Sequence, residues 1–148
     1  MNFENKLIPG LFIKRYKRFF VDIKLKNKIV TAHCPNPGSM MGLLVKNNKV
    51  WLTKSLNLKR KLKYTLQIIE VNKSKVGINT HLTNKIVLDA LQKNLIHEFN
   101  KDIKITNEKV FGPNTRFDFY LENQLNKFFL EVKNLNLKRN NKTAEFPD

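Results

Sequence analysis

The sequence contains almost no cysteine and no long apolar run. Of its 148 residues only Cys34 is a cysteine, so no intrachain disulfide can form, as is usual in a reducing compartment. No apolar stretch approaches the roughly 18 residues that a membrane-spanning helix needs. Residues 1–10 lack the apolar stretch of a signal peptide, and no basic amphipathic helix or lipidation motif is present. We therefore expect a cytoplasmic protein with no membrane partner.

Acidic residues are also scarce. The chain has 12 of them against 28 basic residues, which gives a formal net charge of +16. Such an excess attracts polyanions and favours a nucleic acid, above all DNA, as the partner. Lys outnumbers Arg 23 to 5 and Asn occurs 20 times, a bias typical of AT-rich coding. A protein-interaction domain whose charge reflects only that bias is therefore one alternative.

The pattern of apolar residues predicts two different halves. Strands are expected at residues 11–25, 28–34, 50–54, 64–71 and 76–79, with a turn-rich segment at 35–39. Short strands at this spacing favour a small five-stranded barrel of the oligonucleotide-binding (OB) type. A helix over 84–99 and strands at 103–110, 116–121 and 127–134 follow. The predicted fold class is α+β, with an OB-like barrel domain at residues 1–82 and an α/β domain at residues 83–148.

Three polar residues in the second half form a possible catalytic group. Strand alternation predicts that Phe117, Phe119 and Leu121 share one face, so that Asp118 projects from the other. If the next strand pairs with this one, Glu131 and Lys133 project beside Asp118. Two carboxylates favour Mg²⁺, and a neighbouring lysine can orient a metal-bound water.

This Asp then Glu-x-Lys pattern is the metal site of the PD-(D/E)xK nucleases. Asp118 and Glu131 are its predicted metal ligands, Lys133 is the third catalytic residue, and Asp89 or Glu108 could add a further acid. The alternative is a solvated strand face with a cross-strand ion pair of little energetic value.

Two basic clusters are candidates for nucleic-acid contacts. If residues 11–25 form one strand, Arg15, Lys17 and Phe19 share a face that could offer cations to phosphates and a ring to bases. A second cluster is Lys59-Arg60-Lys61 with Lys63. His33 and Cys34 are too few for a zinc site, so a structural loop role is expected for them.

Read together, these segments resemble the sugar fermentation stimulation protein family. The most specific match is the string His33-Cys34-Pro35-Asn36, followed after one residue by Gly38-Ser39-Met40. Further matching residues lie at 15–19, 32, 42, 60–62, 64, 76–80, 90–91, 116–119, 131–133 and 146–148.

The resemblance implies an OB barrel followed by a restriction-endonuclease-like α/β domain. In this family the chain normally continues past Phe-Pro-Asp, so we expect the second domain to be truncated. The resemblance places Asp118, Glu131 and Lys133 on the PD-(D/E)xK positions and Asp89 on a helical acid that is usually Glu. The nucleic-acid contacts predicted from the clusters and the resemblance are Arg15, Lys17, Arg18, Ser39, Arg60, Lys61 and Lys63.

Besides the protein-interaction domain, two functions remain open from the sequence. The first is a Mg²⁺-dependent DNA endonuclease or phosphodiesterase. The alternative is a non-catalytic, non-specific DNA-binding regulator of sugar metabolism, maltose in particular, as the resemblance implies. The oligomeric state is not predicted.

Overall fold

A computed structural model describes residues 2–3, 5–99, 102–140 and 142–146 of the chain. These residues form two compact units, one made of residues 2–81 with 134–146 and the other of residues 82–133. Residues 134–146 thus pack with the first unit; the domain boundaries predicted from the sequence stay a prediction. Among the described residues, no helix is long and apolar enough to cross a membrane.

The first unit is a closed β-barrel. Its strands are β1 (Ile8–Tyr16), β2 (Phe20–Leu25), β3 (Lys28–His33), β4 (Lys49–Lys54), β5 (Tyr64–Val71) and the short β6 (Ser74–Gly77). The sheet runs in the order β3-β2-β1-β4-β5-β6. It closes where β3 pairs in parallel with β5, at His33 and Thr65. This five-stranded closure confirms the predicted OB-like barrel.

The barrel interior is filled by alternate residues of its strands. On β2 and β3 the inward side chains include Val21, Ile23 and Ala32, each with no exposed surface. Leu52 and Leu66 face them from β4 and β5 and are equally buried. Because side chains alternate along a strand, the intervening residues point outward and are free to form a binding surface.

The predicted strand over 11–25 is wrong in one respect, since it is a hairpin of two strands. β1 pairs antiparallel with β2, and the chain reverses over residues 17–19. Lys17 and Arg18 adopt positive φ angles of 46° and 61° there. Such turns usually carry Asn or Gly, and residues 17–19 contain neither, so no turn was predicted here. The predicted shared face of Arg15, Lys17 and Phe19 is therefore also wrong, because Lys17 and Phe19 belong to the turn.

The loop after β3 and the segment from residue 134 are joined inside the first unit. The side-chain amide of Asn36 donates to Asn136 Oδ1 at 2.7 Å, and Asn136 donates to the Gly77 carbonyl at 3.0 Å. Lys138 N donates to the Met41 carbonyl at 3.0 Å. Gly42 (φ +78°) lies so close to this segment that a Cβ would be 2.1 Å from the Lys138 carbonyl oxygen. A side chain at residue 42 would thus prevent this packing.

The second unit consists of one helix and a three-stranded sheet. Its elements are α1 (Thr83–Gln92), β7 (Lys104–Phe111), β8 (Thr115–Glu122) and β9 (Lys127–Leu130), with sheet order β7-β8-β9. Leu91 of α1 packs with Phe119 and Leu121 of β8 to form a small core. One helix on a short sheet agrees with the predicted α+β class, in which a truncated domain of helix and strands follows the barrel.

The helix predicted over 84–99 ends earlier than expected. Asn94 adopts a φ of 52°, Leu95 N donates to the Ala90 carbonyl at 2.9 Å, and Asn94 N donates to the Leu91 carbonyl at 3.0 Å. These bonds form a Schellman motif with asparagine in the left-handed position, which terminates the helix. The apolar stripe continues past the end of the helix, and Ile96 and Phe99 still pack on the core from the following loop.

Strand alternation breaks in the middle of β8. Tyr120 lies opposite Phe129 with ring centroids 5.1 Å apart, and Phe117 contacts the same Phe129 ring at 4.9 Å. Phe119 is buried in the core on the other side. The predicted common face for Phe117, Phe119 and Leu121 is therefore wrong. The break coincides with Glu108 on β7, whose φ of 52° interrupts the pairing between Asn107–Phe119 and Lys109–Phe117.

Candidate nucleic-acid interface and carboxylate cluster

The β1–β2 turn presents two cations at the barrel surface. Lys17 and Arg18 are both exposed, and Phe19 beside them is 40% exposed. The Phe19 ring stacks on the His33 ring with centroids 6.3 Å apart. Cys34 N also donates to the Phe19 carbonyl at 2.9 Å, which ties the turn to the end of β3. The turn thus combines positive charge with a partly exposed ring.

Arg15 was predicted to share a face with Lys17 and Phe19, but it lies on β1 and contacts the loop after β3. Its guanidinium donates to the carbonyl oxygens of Gly38 and Asn36 at 2.7 Å each, of Arg18 at 2.6 Å and of Ser39 at 3.4 Å. These four contacts hold the β1–β2 turn against the loop after β3. Arg15 therefore acts in the structure as a positioning residue, while Ser39 lies exposed on the loop that it holds.

The β4–β5 loop, residues 55–63, carries the second basic cluster. Ser55 N donates to the Lys63 carbonyl at 2.8 Å and closes the loop. Inside it, Asn57 Oδ1 accepts from Lys59 N at 3.0 Å and Asn57 N donates to Ser55 Oγ at 3.2 Å. These local bonds give the loop a defined turn.

The side chains of this loop point to solvent. Lys59, Lys61 and Lys63 are exposed, and Arg60 is half-buried. Leu56 and Leu58 are 84% and 88% exposed, which is unusual for leucine on a surface otherwise occupied by cations. Apolar side chains among cations are one means by which proteins contact nucleic-acid bases.

A polar cleft lies beside this loop, at the end of β3. Its lining includes His33, Lys54, Arg60, Gln67, Asn79 and His81. Burial lowers the pKa of His33, and the nearby positive charges of Arg60 and His81 lower that pKa further. Burial and the neighbouring positive charges thus both oppose protonation of His33.

The predicted catalytic residues lie on the second unit. Asp118 Oδ1 accepts a 2.7 Å hydrogen bond from the Asn84 amide, and Asp118 Oδ2 accepts one of 2.7 Å from Val132 N. Lys133 Nζ donates to Glu131 Oε1 at 2.8 Å. The pairing of β8 with β9 stops at Phe119 and Leu130, so Asp118 lies within β8 while Glu131 follows the end of β9. These three residues are thus on adjacent chain segments.

The other two acids have partners of their own. Lys93, four residues along α1, donates to Asp89 at 2.8 Å, and this hydrogen bond lowers the pKa of the Asp89 carboxyl. Glu108 is 3.5 Å from Arg116 in an exposed ion pair. Within the described ranges, no three His, Cys, Asp or Glu side chains come together as a metal cluster. Asp118 and Glu131 carry carboxylate oxygens, the ligand type that Mg²⁺ prefers, although both Asp118 oxygens and Glu131 Oε1 already accept hydrogen bonds from the protein.

Cys34 has no features of a reactive thiol. It is fully buried, its Sγ lies 3.7 Å from Met40 Sδ, and burial raises its pKa. A thiol with a raised pKa is a poor nucleophile, so a structural role suits Cys34.

Sequence reasoning missed the residues that form the floor of the cleft. Gln67 is only 6% exposed and joins Thr53 to Asn79 through two hydrogen bonds of 2.8 Å. No local pattern indicated these amides, because their contacts depend on barrel closure. His81 was expected at the surface, and it is exposed, but the closure also places it at the edge of the cleft.

The closed barrel with a cationic turn, a cationic loop and a polar cleft defines an OB-barrel protein. Residues 13–78 match the family described as "SfsA N-terminal OB domain", and residues 81–148 match the "Sugar fermentation stimulation protein RE domain". The chain belongs to the sugar fermentation stimulation protein family.

The curated relatives agree with this assignment. The chain is 54% identical over 148 residues to a sugar fermentation stimulation protein homolog of Pelagibacter ubique, covering all of this chain and 64% of the relative. It is 45% identical over 150 residues to the Bartonella quintana homolog, again covering 100% and 64%. The chain thus spans slightly less than two thirds of the length of these relatives.

The fold is also found in a solved structure. The chain is similar to "The structure of Pyrococcus Furiosus SfsA in complex with Ca2+", with a TM-score of 0.71 and 23% sequence identity. The similarity covers 88% of this chain and 55% of that chain. At this identity, the comparison supports the arrangement of the backbone.

Proposed function

We propose that this protein binds DNA through the surface that joins the β1–β2 turn to the β4–β5 loop. The observation that carries the proposal is the position of His33. Its ring stacks on Phe19 of the turn with centroids 6.3 Å apart, and it lines the same cleft as Arg60 of the loop. The two basic segments therefore flank one end of β3. The loops between strands 1 and 2 and between strands 4 and 5 are those that OB barrels use for oligonucleotides.

The chemistry of this surface suits a phosphate backbone with accessible bases. Lys17, Arg18, Lys59, Lys61 and Lys63 supply exposed positive charge. Phe19 offers a ring face for base stacking, and Leu56 and Leu58 offer apolar contact. No base-specific hydrogen-bonding pattern is implied, so the proposal is binding without sequence preference.

A salt titration of DNA binding tests this function. We expect the logarithm of the association constant to fall linearly with the logarithm of the salt concentration, because bound lysines release counterions from phosphates. Fluorescence anisotropy with a labelled single strand and the matching duplex measures both affinities. Replacing Lys59 and Lys61 by Gln should reduce the slope by about two, one for each phosphate contact.

The matched control is Lys28→Gln, which removes the same charge at the opposite end of β3 from His33. This variant should keep the slope of the parent protein. Binding that does not weaken with salt, or an equal loss of slope in Lys28→Gln, would contradict the proposal.

A second candidate function is a metal-dependent phosphodiesterase activity of the second unit. The observation that favours it is the hydrogen bond from Val132 N to Asp118 Oδ2, which holds the segment that carries Glu131 and Lys133 beside Asp118. Mg²⁺ held by Asp118 and Glu131 would stabilise negative charge on a bound phosphate. Lys133, now paired with Glu131, would position the attacking water, and Asp89 would assist. The Pyrococcus furiosus protein is described in complex with Ca²⁺, another cation that prefers oxygen ligands.

The test of this second candidate is cleavage of supercoiled plasmid with Mg²⁺ or Mn²⁺. Cleavage that disappears in Lys133→Ala and in Glu131→Gln, but persists in Lys127→Ala on the preceding strand β9, would support it. If the parent protein leaves the plasmid intact, or if Lys133→Ala cleaves it equally well, the phosphodiesterase candidate is wrong. The proposal of DNA binding would still stand.

A further inference from the structure

The polar cleft at the end of β3 has a rigid floor. Gln67 Nε2 donates to Thr53 Oγ1, and Asn79 Nδ2 donates to Gln67 Oε1, each at 2.8 Å. Asn79 Oδ1 in turn accepts a 3.1 Å hydrogen bond from His81 N. One connected set of amides therefore fixes the backbone that carries His81 relative to β4 and β5. Side chains on such a floor are held in place before a ligand arrives.

His33 is fixed from another direction. It pairs with Phe20 on β2 and with Thr65 on β5 at the point where the barrel closes. One face of its ring lies against Phe19. The imidazole thus has little freedom to turn away from the cleft that it lines.

The walls of the cleft carry positively charged side chains. Lys54 and Arg60 contribute cationic side chains to this lining, and His33 and His81 contribute imidazole rings. None of the described residues that line the cleft is Asp or Glu. A polar concavity with several cationic groups and no carboxylate is suited to an anion.

We propose that this cleft binds a phosphate monoester, namely the terminal phosphate of a bound nucleic-acid strand. An internal phosphodiester carries one negative charge. A monoester carries about two near neutral pH and offers three acceptor oxygens. The side chains of Lys54 and Arg60 match the charge of the monoester, and the two imidazoles add hydrogen-bond donors for its three oxygens. The site rests on the proposed DNA binding, because the rest of the strand would lie along the β1–β2 turn and the β4–β5 loop.

Competition between two oligonucleotides of identical sequence tests the site. One ends in a 5′-hydroxyl and the other in a 5′-phosphate, and a second pair differs at the 3′ end. We expect one of the phosphorylated strands to bind the full chain about tenfold more tightly than its hydroxyl partner, the effect of a single charge-assisted hydrogen bond. Arg60→Gln and Lys54→Gln should each remove most of that preference.

Lys28→Gln is the matched control and should keep the preference. Circular dichroism of each variant checks that the barrel is folded. If Arg60→Gln is unstable, Lys54→Gln still tests the site, because Lys54 is exposed. Equal affinity of all four strands, or a preference that survives in both cleft variants, would overturn the proposal.

Inorganic phosphate separates this proposal from DNA binding. We expect phosphate to shift the imidazole NMR signals of His33 and His81 at concentrations that leave exposed His97 unchanged. If phosphate shifts them and no oligonucleotide binds, the phosphate site stands and the proposed DNA binding fails. If oligonucleotides bind without a terminal preference and phosphate shifts neither signal, DNA binding stands and the phosphate site fails.

Discussion

Asn36 and Asn136 are 100 positions apart, yet their side-chain amides share a buried hydrogen bond of 2.7 Å. The same Asn36 side chain accepts from Gly38 N at 2.8 Å, and Asn136 donates to the Gly77 carbonyl at 3.0 Å. The pair therefore connects three parts of the first unit: the loop after β3, the end of β6 and the segment from residue 134. It also shapes the loop that Arg15 holds from the other side.

The first prediction concerns this amide pair. Asn36→Ala should destabilise the protein by about 1–3 kcal/mol, because it leaves the buried polar partners of Asn36 without a hydrogen bond. Asn136→Ala should cost a similar amount. Urea unfolding of both single variants and the double variant measures the effect. The double variant should lose less than the sum, since the two residues share one bond; strictly additive losses would argue against the pair.

The second prediction concerns Gly42. Gly42→Ala should destabilise the protein by more than about 1 kcal/mol, because its backbone is left-handed and the new Cβ would be 2.1 Å from the Lys138 carbonyl oxygen. Gly77→Ala is the control within the same unit, since nothing lies within 4 Å of its Cβ position. Thermal unfolding should show a clear loss for Gly42→Ala and little change for Gly77→Ala. Equal behaviour of the two variants would contradict the packing of residues 134–146.

The third prediction is a pH dependence of stability that arises from His33. Its pKa in the folded protein lies below its usual value of 6.5, first through burial and then through Arg60 and His81. The unfolded chain therefore binds more protons than the folded chain as the pH falls through and below 6.5. The free energy of unfolding should therefore decrease as the pH falls below 6.5. Above that pH, His33 should contribute little to its pH dependence.

Urea unfolding from about pH 7.5 to about pH 5 measures this effect. His33→Gln should show a weaker decrease than the parent protein, because the group that titrates is gone. His97→Gln removes an exposed histidine of the other unit and should leave the decrease unchanged. A pH profile that is the same in His33→Gln and in the parent protein would contradict the assignment.

The sequence predicted the barrel because alternation of apolar residues is a local signal of strands. Val21, Ile23 and Ala32 show this pattern and are all buried. The hairpin at Lys17 and Arg18 could not be predicted, because the favourable pairing of β1 with β2 forces two ordinary residues into positive φ. Likewise, Asn94 ends α1 by its backbone conformation, although the apolar pattern continues beyond it.

The candidate sites were predicted in part. The basic loop at 59–63 is visible in the sequence as a run of cations, and the structure places it at the surface. Arg15 belonged to the same kind of pattern, yet its guanidinium binds four carbonyl oxygens. The difference arises from the loop at 36–39, whose position depends on contacts with Asn136 far along the chain. The cleft of His33 and His81 likewise forms only when β3 and β5 close the barrel.

The most direct test of the account is a map of backbone amide signals by NMR while a short single-stranded DNA is added. We predict that the signals which shift will cluster at residues 17–19 of the β1–β2 turn, at His33 and His81, and at residues 54–63. Signals of β6 and of residues 134–140 should stay in place. Shifts confined to β6 or to residues 134–140, with the turn and the β4–β5 loop unaffected, would contradict the proposed interface.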